Sequence, residues 1–401
     1  MVRTRRRLVP ALGALTLAAG LGLVGAGPAL AGGPGQGQGP GSGGGPGECR
    51  LAGSTLTFTG APEPDLTETF TTYADTAGEW TGADSTYSIP LKGNTILWVF
   101  SDTFLGEVAE DGSRPLDSPF LNNSFVMQDR RGELSTITGP DDTSLIPQPT
   151  DEPQGWYWVG DGLQTPRGDV QVVALRYWYG GGGLWDFGFD SNHLATFDRT
   201  TLQLTSLTSL PSETGVQWGS YVAEESTGRY TYVYGVDDQG LVKSMHVARV
   251  HGRDLTNHWE FWTGEGWSDE ETDSVAVMSG VANEYSVSPY LDGYLLITQD
   301  TNEIFSRNIL AYTSCSPTGP FQPAGLVYEM PEVGAFGSYG NPNIFAYNAH
   351  EHPELRTRDT LLVTYNVNSF DSDELYEDAS IYRPRFVEVE VDVETPRPGR
   401  R

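Results

Sequence analysis

Five short runs of β-branched, aromatic and alternating apolar residues constrain this chain more than any other feature. They begin at Thr95, Val170, Arg229, Gly293 and Thr360, at intervals of 75, 59, 64 and 67 residues. Gly, Pro, Asn and Asp break the intervening sequence every 8–12 residues, and no sustained 3.6-residue period interrupts the pattern. Such runs build short antiparallel strands, and intervals of this size hold a four-stranded unit with its loops. The expectation is an all-β fold, a five-bladed β-propeller with a central axial cleft, with a sandwich or jelly-roll pair as the alternative.

Each run follows a short polar or Gly-containing segment. These are Thr81-Gly82-Ala83-Asp84, Trp158-Val159-Gly160-Asp161, Gln217-Trp218-Gly219-Ser220, Asn283-Glu284-Tyr285-Ser286 and Gly340-Asn341-Pro342-Asn343. In a propeller the first strand of each blade lines the channel, so these segments would converge on one axial pocket. If they only mark turns, they converge on nothing.

Asp84 and Asp102 lie nine residues to either side of Gly93, in a stretch that reads as a hairpin turning at Lys92-Gly93-Asn94. With Gly93 at the centre the two aspartates face each other. A two-residue Gly93-Asn94 turn would send them to opposite faces. Two close carboxylates cannot both ionise easily, so one becomes a proton donor beside a base, as glycosidic cleavage requires. Asp161 and Glu284 are the next candidates for the same pocket. Trp80, Trp156, Trp158, Trp218, Tyr285 and Tyr339 cluster around these segments; aromatic faces suit the C–H surfaces of sugars, while acids and amides such as Asn341 bond to hydroxyls. Trp158, Trp218, Tyr285, Asp161, Glu284 and Asn341 are therefore the expected substrate contacts.

His350-Glu351-His352 would put two imidazoles on one side of a strand, but no third ligand is evident nearby, and a solvated loop is the expectation. Arg307 and the Arg383-Pro384-Arg385 pair either meet channel carboxylates or close surface ion pairs. There is no nucleophile elbow, P-loop, dinucleotide fingerprint, Cys/His zinc pattern or set of sialidase Asp boxes. No cofactor is expected, and the sequence offers no support for a structural Ca²⁺.

Residues 1–31 read as a secretory signal: Arg3, Arg5, Arg6 and Arg7, an apolar run, then Ala29-Leu30-Ala31. Thr4-Arg5-Arg6-Arg7-Leu8 suits a twin-arginine route as well as the general one. Residues 32–47 hold ten Gly and three Pro and read as a flexible linker. The folded domain is expected over 48–392, with a disordered tail at 393–401. Net charge is −29, and −33 once the four signal arginines are gone. Such a surface repels nucleic acid and anionic membrane, and no Cys closely follows the apolar run to carry a lipid anchor. A secreted monomer acting on polysaccharide is expected. Cys49 and Cys315 either form one bridge or stay as two thiols.

Several segments together resemble a known group. Trp98-Val99-Phe100-Ser101-Asp102-Thr103-Phe104-Leu105-Gly106, Asn122-Asn123-Ser124-Phe125, Tyr232-Val233-Tyr234-Gly235 and Asn283-Glu284-Tyr285-Ser286-Val287 are similar to segments of the five-bladed propeller families DUF4185 and DUF5005, as are His352-Pro353-Glu354-Leu355 and the segment from Leu362 to Ser369. The resemblance runs over roughly 54–390. Some DUF4185 members are endo-D-arabinanases of glycoside hydrolase family 183, which cut the D-arabinofuranan of mycobacterial arabinogalactan and lipoarabinomannan. The resemblance implies such an activity, of inverting type, with Asp84 in the Gly-x-Asp segment and Asp102 in the Phe-x-Asp-Thr segment as the catalytic pair. A non-catalytic glycan-binding propeller, or a glycosidase of L-arabinan or another polysaccharide, is the alternative.

Overall fold

The computed structural model describes residues 49–181, 186–225 and 227–395. The expected signal and linker, and most of the expected tail, lie outside them. The fold is all-β and of propeller type, built from five antiparallel sheets of four or more strands and one of three. Sheet I comprises Tyr87–Leu91, Thr95–Phe100, Ser124–Gln128 and Leu134–Ile137; sheet II, Gly155–Gln164, Val170–Tyr179, Phe187–Phe197 and Leu204–Ser209. Sheet III begins Gln217–Glu224, Tyr230–Asp238, Lys243–His251 and Trp259–Trp262, and sheet IV is Tyr285–Tyr290, Gly293–Gln299, Asn308–Ser314 and Gln322–Glu329. Sheet V takes Ile344–Glu351, Thr360–Ser369 and Pro384–Glu394, then adds Thr55–Pro62 from the other end of the chain. The last strand runs to Glu394, so order extends past the expected boundary at residue 392 because Thr55 pairs with Glu394.

Each of the five apolar runs lies in the second strand of its sheet, which is why they read so strongly: flanked by strands on both sides, they are apolar on both faces. The first strands of sheets I to V pack on one another in succession. Five cores lie between neighbouring sheets. Ile89 and Leu97 meet Val159 and Val172 between I and II; Val173 meets Trp218 and Val233 between II and III; Tyr234 meets Tyr285 and Val287 between III and IV; and Ile297 meets Ile344 and Val363 between IV and V.

Between sheets V and I the core includes a helix that the absence of 3.6-residue periodicity had not suggested. Pro64–Thr76 starts at Glu63, whose carboxylate accepts from Leu66 N–H at 2.7 Å, with Pro64 at the first helical position. Phe70 and Ala74, one turn apart, are its buried face, and Phe70 meets the rings of Trp80, Trp98, Phe100 and Phe386 at 5.2–6.4 Å. Burying such a ring stabilises the fold by about 2–3 kcal/mol. Cys49 and Cys315 form a disulfide, the first of the two alternatives, and Asp292 accepts the N–H groups of Arg50 and Leu51 beside it. No helix among the described residues is long and apolar enough to cross a membrane.

Candidate active site

The hairpin turns about Gly93. Tyr87 pairs with Val99 and Leu91 with Thr95, each couple equidistant from Gly93, and the same register resumes at Ala83 and Thr103. Gly93 and Asn94 take the positive φ values, 98° and 59°, that the turn needs. Between the two stretches Ser85 and Thr86 lie in the left-handed region at φ 69° and 62°. That conformation is costly for a β-branched residue and persists only where the surroundings hold it. Asn366 donates to the Thr86 hydroxyl at 2.8 Å, and a His350 ring nitrogen lies 3.2 Å from its carbonyl. The kink keeps the backbones of Asp84 and Asp102 together, with Asp84 N–H donating to Asp102 C=O at 3.2 Å, and leaves the Asp84 side chain lining an axial cleft of about 550 Å³.

Asp84 Oδ2 accepts from the Tyr347 hydroxyl at 2.6 Å, whereas its Oδ1 is buried and unpartnered. Burial pushes this carboxyl up, to about 6, against the opposing pull of the Tyr347 bond. Asp102 is fully sealed: Oδ1 accepts from Trp158 Nε1 at 2.8 Å and Asn122 Nδ2 at 3.0 Å, and Oδ2 has no partner. Burial raises it well above the carboxylate range, and the neighbouring Asp84 charge raises it further. The structure thus brings the two aspartates together but gives only Asp84 to the cleft. Of the other carboxyls lining the cleft, Glu284 accepts through Oε1 from Ser85 Oγ, next to Asp84, at 2.8 Å. Its Oε2 is unpartnered, with His350 Nδ1 3.8 Å away. Burial lifts Glu284 well above its usual range and holds His350 down at about 4, so the imidazole brings no compensating charge.

Trp158, one of the expected substrate contacts, lines the cleft within a wall that includes Tyr177 at 4.5 Å and Phe187 at 5.6 Å between ring centres. A second aromatic group, Phe305, Phe345 and Tyr347, contributes Phe305 and Tyr347 to the lining. Four expected contacts lie elsewhere. Asp161 has both oxygens on backbone N–H groups, of Gly162 at 2.7 Å and Val222 at 2.8 Å, and lines a separate cavity of about 200 Å³ further along the inner strands. Trp218 and Tyr285 point into sheet cores, where Trp218 Nε1 donates to Glu271 and the Tyr285 hydroxyl to Gly235 C=O. Asn341 caps a turn, accepting from Asn343 N–H at 2.9 Å.

His350 and His352 are not solvated but 1 % exposed: the strand Ile344–Glu351 carries His350 onto Tyr87, stacked at 4.8 Å, and His352, just past the strand's end, meets the Trp98 ring at 5.2 Å. Among the described residues no cluster of potential ligands would hold a metal. Arg307 pairs with Glu329, Arg383 with Asp75 and Arg385 with Glu332, none of them a cleft carboxylate. Sequence reasoning missed Tyr347, Asn122, Lys243 and Asn283. Only Asn122 and Asn283, in the quoted motifs, carried any signal.

The fold and site therefore define a propeller-type protein with buried carboxyls around an axial cleft. The chain belongs to the family described as a domain of unknown function, DUF5005, whose model matches residues 67–391. Its structure is similar to that of a Bacteroides ovatus protein described as a candidate hydrolase, at 20% identity and TM-score 0.70, covering 84% of this chain and 93% of that one. A weaker similarity, TM-score 0.46 at 12% identity, over 84% of this chain and 97% of the other, is to an α-L-arabinofuranosidase from Podospora anserina solved with cellotriose. At 20% identity the likeness to the Bacteroides protein is one of fold. No curated protein matches the chain.

Proposed function

We propose that this chain is a secreted glycoside hydrolase, a five-bladed propeller whose axial cleft cleaves furanosidic polysaccharide, with D-arabinan as the first substrate to test. The observation that carries the reading is the pair Asp84 and Glu284. Both line one aromatic-walled cleft, and each has a buried oxygen without a partner. Hydrolysis of a glycosidic bond needs a carboxylic acid to protonate the leaving oxygen and a carboxylate to act on water or on the sugar. Here the environments separate the two. Asp84, with the Tyr347 phenol donating to it, ionises at about 6 and serves as base. Glu284, lifted well above its usual range by burial and with neutral His350 as neighbour, serves as acid. Asp102 lies behind Asp84 as a positioning carboxyl that holds Trp158 and Asn122. D-arabinan follows from the resemblance of the Asp84 and Asp102 segments to endo-D-arabinanases, which also suggests direct displacement by water with inversion.

The test is reducing-end release from mycobacterial arabinogalactan, beside L-arabinan, xylan and levan. Oligosaccharide release from arabinogalactan, lowered roughly 10²–10⁴-fold in both Asp84→Asn and Glu284→Gln, is expected of an acid and base pair. Release unaffected by Glu284→Gln but abolished by Asp102→Asn would return the acid role to Asp102. No release from any substrate, with glycan binding retained, would make the protein a binding module.

A further inference from the structure

The lining of the cleft is lopsided in charge. Asp84, Asp237, Asp238, Glu284, Asp300 and Glu303 face a single cation, Lys243, among the described residues. Lys243 is 6 % exposed, and its ammonium lies 2.5 Å from both Asp238 Oδ2 and Asn283 Oδ1. Asn283 Nδ2 donates to the same Asp238 oxygen at 2.8 Å, so the three side chains close a triangle directly before Glu284. An ammonium has three N–H donors. The triangle takes two of them, and the third has no protein acceptor among the described residues. Its charge is already answered by Asp238, so what remains for a ligand is a donor rather than a site for an anion.

We infer that Lys243, Asp238 and Asn283 form a subsite that reads a hydroxyl of an uncharged glycan beside the bond-cleaving acids. The inference rests on the reading of the cleft as a glycan site and names which glycans it takes. A buried donor left unpaired is costly, so a sugar hydroxyl that meets Lys243 is selected over an analogue without it. A uronate or sulfate, by contrast, would enter an acidic lining whose single cation is already paired with Asp238, in a cleft where charges are poorly screened.

The test measures calorimetric affinity of the full chain carrying Asp84→Asn, with and without Lys243→Met. The probes are neutral arabinan oligosaccharides and the same material carboxymethylated. Lys243→Met should weaken binding of the neutral probe roughly 10- to 100-fold, the loss expected for a hydrogen bond to a charged group, with Lys243→Arg recovering part of it. The carboxymethylated probe should bind the Lys243 protein less well than the neutral one, and least well at low salt. This arm needs no Lys243 variant and reads the charge selectivity of the cleft; should Lys243→Met fail to fold, Lys243→Arg against the Lys243 protein decides the hydroxyl contact. Equal affinity with and without Lys243, or tighter binding of the carboxymethylated probe, overturns the inference. Binding that needs Lys243 in a protein that cleaves nothing keeps the subsite and removes only the hydrolase reading.

Discussion

Removing one oxygen at Tyr347 tests the proposed base directly. The phenol donates to Asp84 Oδ2 at 2.6 Å, and it opposes the burial that has already raised this carboxyl to about 6. A hydrogen bond to a charged group contributes about 1.5–3 kcal/mol, and 1.36 kcal/mol corresponds to one pH unit. Tyr347→Phe should therefore move the acidic limb of the kcat/KM profile upward by about 1–2 pH units. The sign follows from the role: a base must be ionised, and losing its donor favours the protonated form. The variant should lose roughly 10- to 100-fold at the acidic end and little on the plateau above the shifted limb. It also leaves Asn368 Nδ2, 3.0 Å from the phenol oxygen, without that acceptor, at about 1–3 kcal/mol of stability, so assays belong well below the thermal midpoint. Reducing-end release across the pH range is the assay. A loss of the same size at every pH would refute the assignment of Asp84 as the ionised base.

Other expectations follow from single contacts. Trp158→Phe removes a donor to Asp102 and part of an aromatic wall, and should raise KM as well as lower kcat, roughly 10-fold or more in their ratio, read by steady-state kinetics. Replacing Cys49 and Cys315 by Ser opens a link between residues 266 positions apart and should cost about 2–5 kcal/mol, seen as a lower denaturation midpoint. Gly219→Ala should destabilise by about 1–3 kcal/mol in the same assay, because φ is +97° there and a Cβ would stand 2.6 Å from Val173 Cβ. Glu354 is held protonated by burial up to about pH 7. The folded state therefore binds a proton the unfolded chain has released, and stability falls as pH rises from the ordinary carboxylate range through about 7. Glu354→Gln should flatten that fall, and an unchanged slope of stability with pH would count against the burial argument.

The hairpin around Gly93 was legible from the turn residues between two alternating runs, but its register was open between two turns until the pairing of Tyr87 with Val99 settled it; the five apolar runs were legible because a strand paired on both sides and packed on both faces has nowhere to hide polar residues. The helix at Pro64–Thr76 was harder: Leu66, Phe70, Tyr73 and Ala74 lie one turn apart but are diluted by threonines, though Glu63 and Pro64 were signs of a start. Trp218 and Tyr285 were misassigned because an aromatic beside a polar motif fits a core as well as a cleft wall, and strand alternation sends these two inward. The sealing of Asp102 beneath Trp158 and Asn122 was not legible, because both reach it from a strand and a loop further along the chain, and nothing in the residue types of Ser85 and Thr86 announced their left-handed kink. Tyr347 and Lys243 reach the cleft from sheets V and III, a convergence visible only once the sheets are placed.

Sheet V, which draws Thr55–Pro62 to the edge of Pro384–Glu394, sets a timetable on biosynthesis. Thr55–Pro62, the first of the described strands to leave the ribosome, has no partner until Pro384–Glu394 follows, so the nascent chain carries an unzipped seam while the other sheets are made. The sheet cannot close before Glu394 has been made, and any chain stopped short of it displays a bare strand edge of the kind that recruits other chains. A permuted chain, with its old ends joined and new ones opened at the exposed turn around Gly240 and Leu241, would make both seam strands as neighbours and could zip them while still being synthesised.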